Sequence, residues 1–142
     1  AFTNAIPNFE CALTPSATDS KIQVNFNFVW GDDNWVHFAL YSKVTSGGTY
    51  AVITNAVASA TGGGIRMVGS TGNPYSRGHN NSAQPVTFAY LDSPATVSEM
   101  FYTMYVNSES NHAVYLNRSF NDGNYQSIGR HASTITLTEV LA

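Results

Sequence analysis

The chain has 142 residues, enough for one domain with a substantial core, and 43% of them are hydrophobic. Only 11% are charged, against roughly 25% in an ordinary soluble domain, which favours an oligomer or a component of a particle. The net charge of −3 comes without a run of either sign, which excludes the basic footprint of a nucleic-acid-binding protein, and no apolar run approaches the roughly 20 residues of a membrane span. We expect a single domain over residues 1–142.

The first predicted strand covers residues 8–13, in which Phe9, Cys11 and Leu13 share one face. Cys11 is the only cysteine, so it cannot form a disulfide within the chain. Because free cysteine is among the most buried residue types, we expect Cys11 in the core rather than in a reactive site.

The strongest strand signal lies at residues 21–30, where every second residue from position 24 is large and apolar: Val24, Phe26, Phe28 and Trp30. A period of two is typical of a half-buried β-strand. Burying each of these side chains is worth roughly 1.5–3 kcal/mol, so a second layer must cover this face. Two sheets packed face to face are therefore expected.

The remaining elements are also extended, with turn residues between them. Strands are predicted at residues 35–42, 49–54, 65–68, 85–91, 100–107, 113–118 and 133–140. Residues 35–42 are apolar on both faces, which places them in the middle of the sandwich or against another subunit. The Asp122-Gly123 pair predicts a tight hairpin at residues 121–124. With eight or nine strands and no helical period, the fold class is all-β, an antiparallel sandwich or barrel.

Motifs for catalysis and cofactor binding are absent from the sequence. The Gly62-Gly63-Gly64 run lacks the Gly-Lys-Ser/Thr of a phosphate loop, and no Gly-x-Ser-x-Gly motif occurs. The adjacent carboxylates of Asp32 and Asp33 are expected in a solvated turn, with a cation site as the alternative. The histidines lack metal-ligand spacing; they are His37, His79, His112 and His131. We expect no catalytic residue, no cofactor and no metal.

Aromatic residues are in surplus, with eight Tyr, eight Phe and two Trp. One core of this size holds about half of them, so the others should face a neighbour or a ligand, as Tyr and Trp commonly do at interfaces. The residues expected at a subunit interface are Phe101, Tyr105, Tyr115 and Tyr41.

Two stretches resemble a known family. Residues 12–24, ALTPSATDSKIQV, are similar to the opening of small β-domains in virion proteins of tailed bacteriophages, marine and cyanobacterial phages especially. Residues 115–122, YLNRSFND, followed by residues 130–140, RHASTITLTEV, are similar to the ending of those domains. Residues 55–82 match only in being rich in glycine.

The resemblance implies a jelly roll similar to the tumour-necrosis-factor-like heads that assemble as trimers on fibres. Such domains commonly cap tail or head fibres and contact the host surface, and some relatives decorate the capsid. Arg118 and Arg130 flank the predicted hairpin, where they are expected to pair with Asp122, Glu139 or a neighbouring subunit.

We therefore expect a homotrimeric head of a phage fibre or spike, on the virion surface, that contacts other virion proteins and adheres to a host-surface glycan or protein. Recognition is expected in the irregular residues 69–82, which offer Asn73, Tyr75, Arg77, His79, Asn80 and Asn81. A capsid decoration or cement protein is the first alternative. A polysaccharide-cleaving enzyme is the second.

Overall fold

The computed structural model describes residues 2, 4–31, 35–58, 82–108, 112–126 and 128–142, together with the backbone of residues 71–73. In these residues two antiparallel sheets pack face to face, which confirms the predicted all-β sandwich. The single helix within the described ranges is a 3₁₀ turn at Thr54–Ala56. The strands in chain order are β1 (Asn4–Leu13), β2 (Lys21–Gly31), β3 (Val36–Val44), β4 (Ala51–Val52), β5 (Thr71–Asn73), β6 (Gln84–Asp92), β7 (Met100–Ser108), β8 (Tyr115–Leu116) and β9 (Thr134–Val140).

Five of the strands form one sheet, which we call sheet A, in the order β1-β7-β3 with β4 and β5 both against the free side of β3. The other four form sheet B, in which β6 pairs with one side of β2, while β8 and β9 follow one another along the other side. The strand predicted to be apolar on both faces, β3, therefore lies inside its sheet, as expected.

The core is organised around β2. Val24, Phe26 and Phe28 are wholly buried, and Trp30 is 1% exposed. Rings of sheet A pack onto this row, with Phe38 4.7 Å from Phe28 between ring centroids at 77°. This edge-to-face geometry adds to the area that each ring buries.

The predicted hairpin at Asp122-Gly123 is wrong. Strands β8 and β9 are two short pieces along one side of β2, and the described residues between them, 117–126 and 128–133, leave the sheet. Asn117 turns the chain outward with a φ of 65°, and a bridge between Arg118 and Arg130 closes the base of the excursion. The chain thus returns through a longer loop, and the Asp-Gly pair lies within that loop.

Two predicted strands are shorter in the structure, and Cys11 is less buried than expected. The strand predicted at residues 49–54 shortens to Ala51–Val52, and the one at 113–118 to Tyr115–Leu116. Cys11 is half-buried rather than in the core, because β1 is an edge strand. The strand predicted at residues 65–68 and the turn with Asp32 and Asp33 lie outside the described residues.

Candidate functional site

The outer face of sheet A carries a compact group of half-buried rings, which we call the aromatic face: Tyr41, Tyr50, Phe101 and Tyr105. Tyr41 and Tyr105 are stacked, with ring centroids 3.9 Å apart and an interplanar angle of 19°. Tyr50 meets Tyr105 edge to face at 5.9 Å. These contacts hold the rings in place and leave part of each accessible.

The register of two central strands brings these rings together. Side chains directly opposite each other on neighbouring strands share a face, and Lys43 lies opposite Phe101 while Ala39 lies opposite Tyr105. Tyr41 is one diagonal step from Tyr105, within reach of an aromatic side chain. Ala39 is wholly buried although it points away from the core.

The turn after β3 positions Tyr50. The Thr45 N–H donates to the Glu99 carbonyl at 2.9 Å, and the Gly48 N–H donates to the Thr45 carbonyl at 3.1 Å. A Cβ on Gly48 would lie 2.1 Å from the Val44 carbonyl oxygen, so this tight return requires glycine. The chain then places the Tyr50 ring over sheet A.

Next to these rings, the charged groups of Lys43 and Glu10 and the hydroxyl of Tyr50 contact one another. Lys43 Nζ lies 3.1 Å from Glu10 Oε2, and the Tyr50 hydroxyl donates a hydrogen bond to the same carboxylate. The ammonium also lies over two rings, 4.6 Å from the centroid of Tyr50 and 4.9 Å from that of Phe101. The Lys43 side chain is only 12% exposed. One positive and one negative charge therefore cancel within the face.

The pKa shifts of Glu10 and Tyr50 widen the pH range over which the carboxylate is ionised and the hydroxyl is protonated. The hydrogen bond from Tyr50 and the nearby Lys43 ammonium lower the pKa of the Glu10 carboxyl. Burial raises the pKa of the Tyr50 hydroxyl well above its ordinary value, and its bond to Glu10 raises it further. Burial also raises the pKa of Tyr41. Near neutral pH the Glu10 carboxylate is therefore ionised, and the Tyr41 and Tyr50 hydroxyls are protonated.

The structure joins three of the four residues predicted for a subunit interface. Tyr41, Phe101 and Tyr105 share the aromatic face, whereas Tyr115 lies on the outer side of sheet B, opposite Gly31. There the Arg118 guanidinium carbon lies 3.5 Å from the Tyr115 ring centroid, and Phe120 packs edge to face against the ring at 5.9 Å. The chain itself therefore covers Tyr115.

The predicted pairing of the two arginines with Asp122 is confirmed. Arg118 approaches the Asp122 carboxylate at 3.8 Å, and Arg130 forms a closer ion pair with it. The other predicted acceptor, Glu139, instead accepts hydrogen bonds from the backbone N–H and hydroxyl of Ser16, at 2.6 and 2.7 Å.

Of the predicted recognition residues, Asn73 is the one within the described part of the chain. Asn73 pairs with Val36 through the backbone of β5. The other five residues lie outside the described residues: Tyr75, Arg77, His79, Asn80 and Asn81. In the described part of the chain, no cluster of three or more His, Cys, Asp or Glu could hold a metal ion. No helix among those residues is long and apolar enough to span a membrane.

Sequence reasoning missed Glu10, Lys43 and Tyr50. Extending the period-two pattern of the third strand by one residue places Lys43 on the same face as Tyr41, a signal that was available. Glu10 and Tyr50 reach the face through strand order and a turn, which a pattern within one strand does not reveal.

No protein-family model matches the sequence, and no curated protein matches it either. The resemblance to virion domains therefore rests on the motifs at residues 12–24, 115–122 and 130–140.

Proposed function

We propose that this chain is a jelly-roll head domain of a virion fibre or spike, that it forms a homotrimer through the aromatic face, and that it adheres to a receptor on the host surface. The observation that carries the proposal is the aromatic face itself. It is a fixed, net-neutral set of rings on a rigid sheet.

The strand order supports the jelly-roll interpretation. Pairings are nested: β3 pairs with β4 and β5, β2 pairs with β6, and β1 pairs with β7. The last strand, β9, then returns to β2, so that the chain alternates repeatedly between the two sheets. A strand pattern of this kind agrees with two interlocked Greek keys, the plan of a jelly roll.

The chemistry of the aromatic face supports assembly. Tyrosine combines an apolar ring with a polar end that tolerates water, and it is enriched at interfaces. A buried ion pair is tolerated when both partners keep their hydrogen bonds, as Glu10 does with Lys43 and Tyr50. We infer that three copies of this face meet around a threefold axis, a closed symmetry that avoids open-ended growth.

Two observations test the proposal. Light scattering at micromolar concentration should give three times the 15.3 kDa mass of the chain. Electron microscopy of virions labelled with an antibody against this protein should place the label at fibre or spike tips. A regular label over the capsid lattice would overturn the fibre role in favour of capsid decoration, and unlabelled virions would overturn the virion role altogether.

A further inference from the structure

The excursion between β8 and β9 presents an exposed aromatic ring close to an exposed guanidinium. Tyr125 is 73% exposed, the highest value for a large hydrophobic side chain among the described residues. The Arg130 side chain is 62% exposed. Tyrosine and arginine are the residue types that contact surfaces favour, so this pair is a candidate binding site outside the aromatic face.

Backbone hydrogen bonds hold the excursion on sheet B. The Asn117 N–H donates to the Val29 carbonyl at 2.7 Å, and the His131 N–H donates to the Asn117 carbonyl at 2.9 Å. Within the excursion, the Ile128 N–H donates to the Tyr125 carbonyl at 3.0 Å. The exposed side chains therefore extend from a backbone that is tied to a rigid sheet, the usual arrangement of a binding loop.

A glycine positions the Tyr125 ring. A Cβ on Gly123 would lie 2.7 Å from Cε2 and 2.8 Å from Cδ2 of Tyr125, so any side chain at this position would displace the ring. Glycine permits this close approach because it has no Cβ. One edge of the ring thus rests on the backbone of Gly123, next to Asp122, while most of the residue stays open to solvent.

Asp122 connects the ring to the guanidinium. Arg130 forms a close ion pair with the Asp122 carboxylate, and Arg118 approaches the same carboxylate at 3.8 Å. Arg118 also donates to the carbonyls of Ser119 and Phe120, at 3.2 and 3.1 Å, so its donors serve the excursion itself. A guanidinium has five N–H donors, so Arg130 retains donors for a second acceptor beside Asp122.

The charge of the excursion selects the ligand. Two arginines against one aspartate leave one positive charge on residues 117–133, although the whole chain carries −3. A single carboxylate balances this charge and matches the planar fork of a guanidinium. A phosphate monoester, with about −1.5 to −2 at neutral pH, would exceed it next to Asp122. The Tyr125 ring adds an apolar surface on which the C–H face of a sugar ring can pack.

We propose that the excursion binds a sugar that carries a carboxylate, with the sugar ring on Tyr125 and the carboxylate on the Arg130 guanidinium. The inference rests on the proposed function, because it names the chemical class of the host-surface receptor.

Three small probes separate the two halves of the site. The backbone amide resonances of Gly123 and Gly129, which adjoin Asp122 and Arg130, report binding in ¹⁵N-labelled protein. Methyl glucuronide at millimolar concentration should shift both resonances in a saturable way. Methyl glucoside lacks the carboxylate and acetate lacks the ring, so each should bind about tenfold more weakly, the contribution of roughly one favourable contact. No shift with methyl glucuronide would overturn the proposal, and equal binding of acetate would overturn the sugar in favour of carboxylates of any source.

Variants locate the binding energy on the two side chains. Arg130→Gln should weaken methyl glucuronide binding about tenfold and remove its advantage over methyl glucoside. Lys21→Gln makes the same change of charge at an exposed residue of β2 and is the matched control with unchanged binding. A preference for methyl glucuronide that survives Arg130→Gln would overturn the assigned carboxylate site.

The ring is tested without changing the charge. Tyr125→Ala should weaken both sugars, and Tyr125→Phe, which keeps the ring, should bind like wild type. Gly123→Ala should also weaken both sugars because it displaces the ring, while the circular dichroism spectrum remains that of wild type. Unchanged sugar binding by Tyr125→Ala would overturn the proposal, and the high exposure of this residue means that its truncation does not disturb the core.

The failure of this inference can be told apart from a failure of the proposed function. If labelled fibre tips adhere to host cells and the Arg130→Gln and Tyr125→Ala variants adhere equally well, the sugar site is wrong and the fibre role stands. If methyl glucuronide binds at Gly123 and Gly129 but the protein is absent from virions, the site stands and the fibre role is wrong.

Discussion

The outer faces of the two sheets differ in how they meet their surroundings. On sheet B, Asn25 and Asn27 of the central strand point to solvent, and the neighbouring strand adds a row of exposed threonines: Thr134, Thr136 and Thr138. The aromatic face of sheet A instead offers stacked tyrosines with a shielded ion pair. Both sheets obey the same period of two, but only the outer face of sheet A carries a cluster of stacked aromatic rings among the described residues.

The aromatic rings on the outer faces of the two sheets also differ in what covers them. Tyr115 is covered by Arg118 and Phe120, which arrive with the excursion at residues 117–133. Tyr41 and Tyr105 are covered mainly by each other and by Tyr50. The Tyr115 ring on sheet B is thus covered by side chains from the excursion, whereas the rings on sheet A pack against one another, and we propose that a partner covers them.

A carboxylate introduced on the outer face of each sheet in turn should give the largest difference, measured as oligomeric state. Tyr105→Asp places an unpaired carboxylate in a dry interface and should reduce the trimer to monomer in sedimentation velocity. Asn25→Asp makes the corresponding change on the exposed side of sheet B and should leave the trimer intact. Equal dissociation by both substitutions, or by neither, would remove the distinction between the faces.

An added side chain at the point where β2 meets the excursion should lower the stability of the fold and should not affect assembly. A Cβ on Gly31 would lie 2.4 Å from the Arg118 carbonyl oxygen and 2.6 Å from the Ser119 Cα, both backbone atoms. Gly31→Ala should therefore lower the free energy of unfolding by about 1–3 kcal/mol.

Gly47 provides the matched control, since a Cβ there would meet nothing within 4 Å. Gly47→Ala should lie within about 0.5 kcal/mol of wild type. Urea unfolding at one fixed protein concentration measures both variants, because the stability of an oligomer depends on concentration. A neutral Gly31→Ala would show that the excursion is not held against β2.

A single hydroxyl on sheet B should have a smaller effect. The Val29 N–H donates to the Ser133 hydroxyl at 3.0 Å, and that hydroxyl donates to the Asn117 side-chain oxygen. Ser133→Ala leaves the Val29 N–H without this partner and should cost about 1–2 kcal/mol of unfolding free energy. Thr136→Ala, on the same edge but exposed, should change it by less than about 0.5 kcal/mol, and similar losses in both would contradict the specific role of Ser133.

The smallest expected effect is the acid sensitivity of the aromatic face. The pKa of Glu10 is lowered in the folded protein, so its contribution is present above the ordinary carboxyl pKa of about 4.3 and is lost as the pH falls through the lower folded value. The side chain is 39% exposed, so solvent screening limits the contribution to about 0.5 kcal/mol. Wild type should lose this increment in urea unfolding between pH 5 and 3 (roughly one unit either side of the ordinary carboxyl pKa), and Glu10→Gln should not.

Alternation of apolar and polar residues predicts a strand and its buried face well, but it does not predict which other strands pair with it. The row from Val24 to Trp30 had to be buried, and the faces of Met100 and Phe101 could be assigned, because alternation fixes which residues share a strand face. Alternation does not state which strands share a sheet. Alternation therefore predicts a shared interface for Tyr115 and Tyr41, although the two lie on different sheets.

Features built from packing could not be predicted at all. The Asp122-Gly123 signal is local, whereas the excursion that contains it is set by contacts of Asn117 and Ser133 with β2. The cavity of about 100 Å³ beside Trp30 and Phe38 likewise exists because the elements around it do not fill that space. A sequence shows that Trp30 is buried, and only the fold shows that its N–H has no partner among the described residues.

The central claim is that assembly covers the aromatic face. The most direct test is hydroxyl-radical oxidation of Tyr105 as the protein concentration rises through the association range, with Tyr125, 73% exposed, as the internal reference. We predict that oxidation of Tyr105 falls as the trimer forms while oxidation of Tyr125 stays constant. A trimer in which Tyr105 is oxidised as fast as in the monomer would contradict the account.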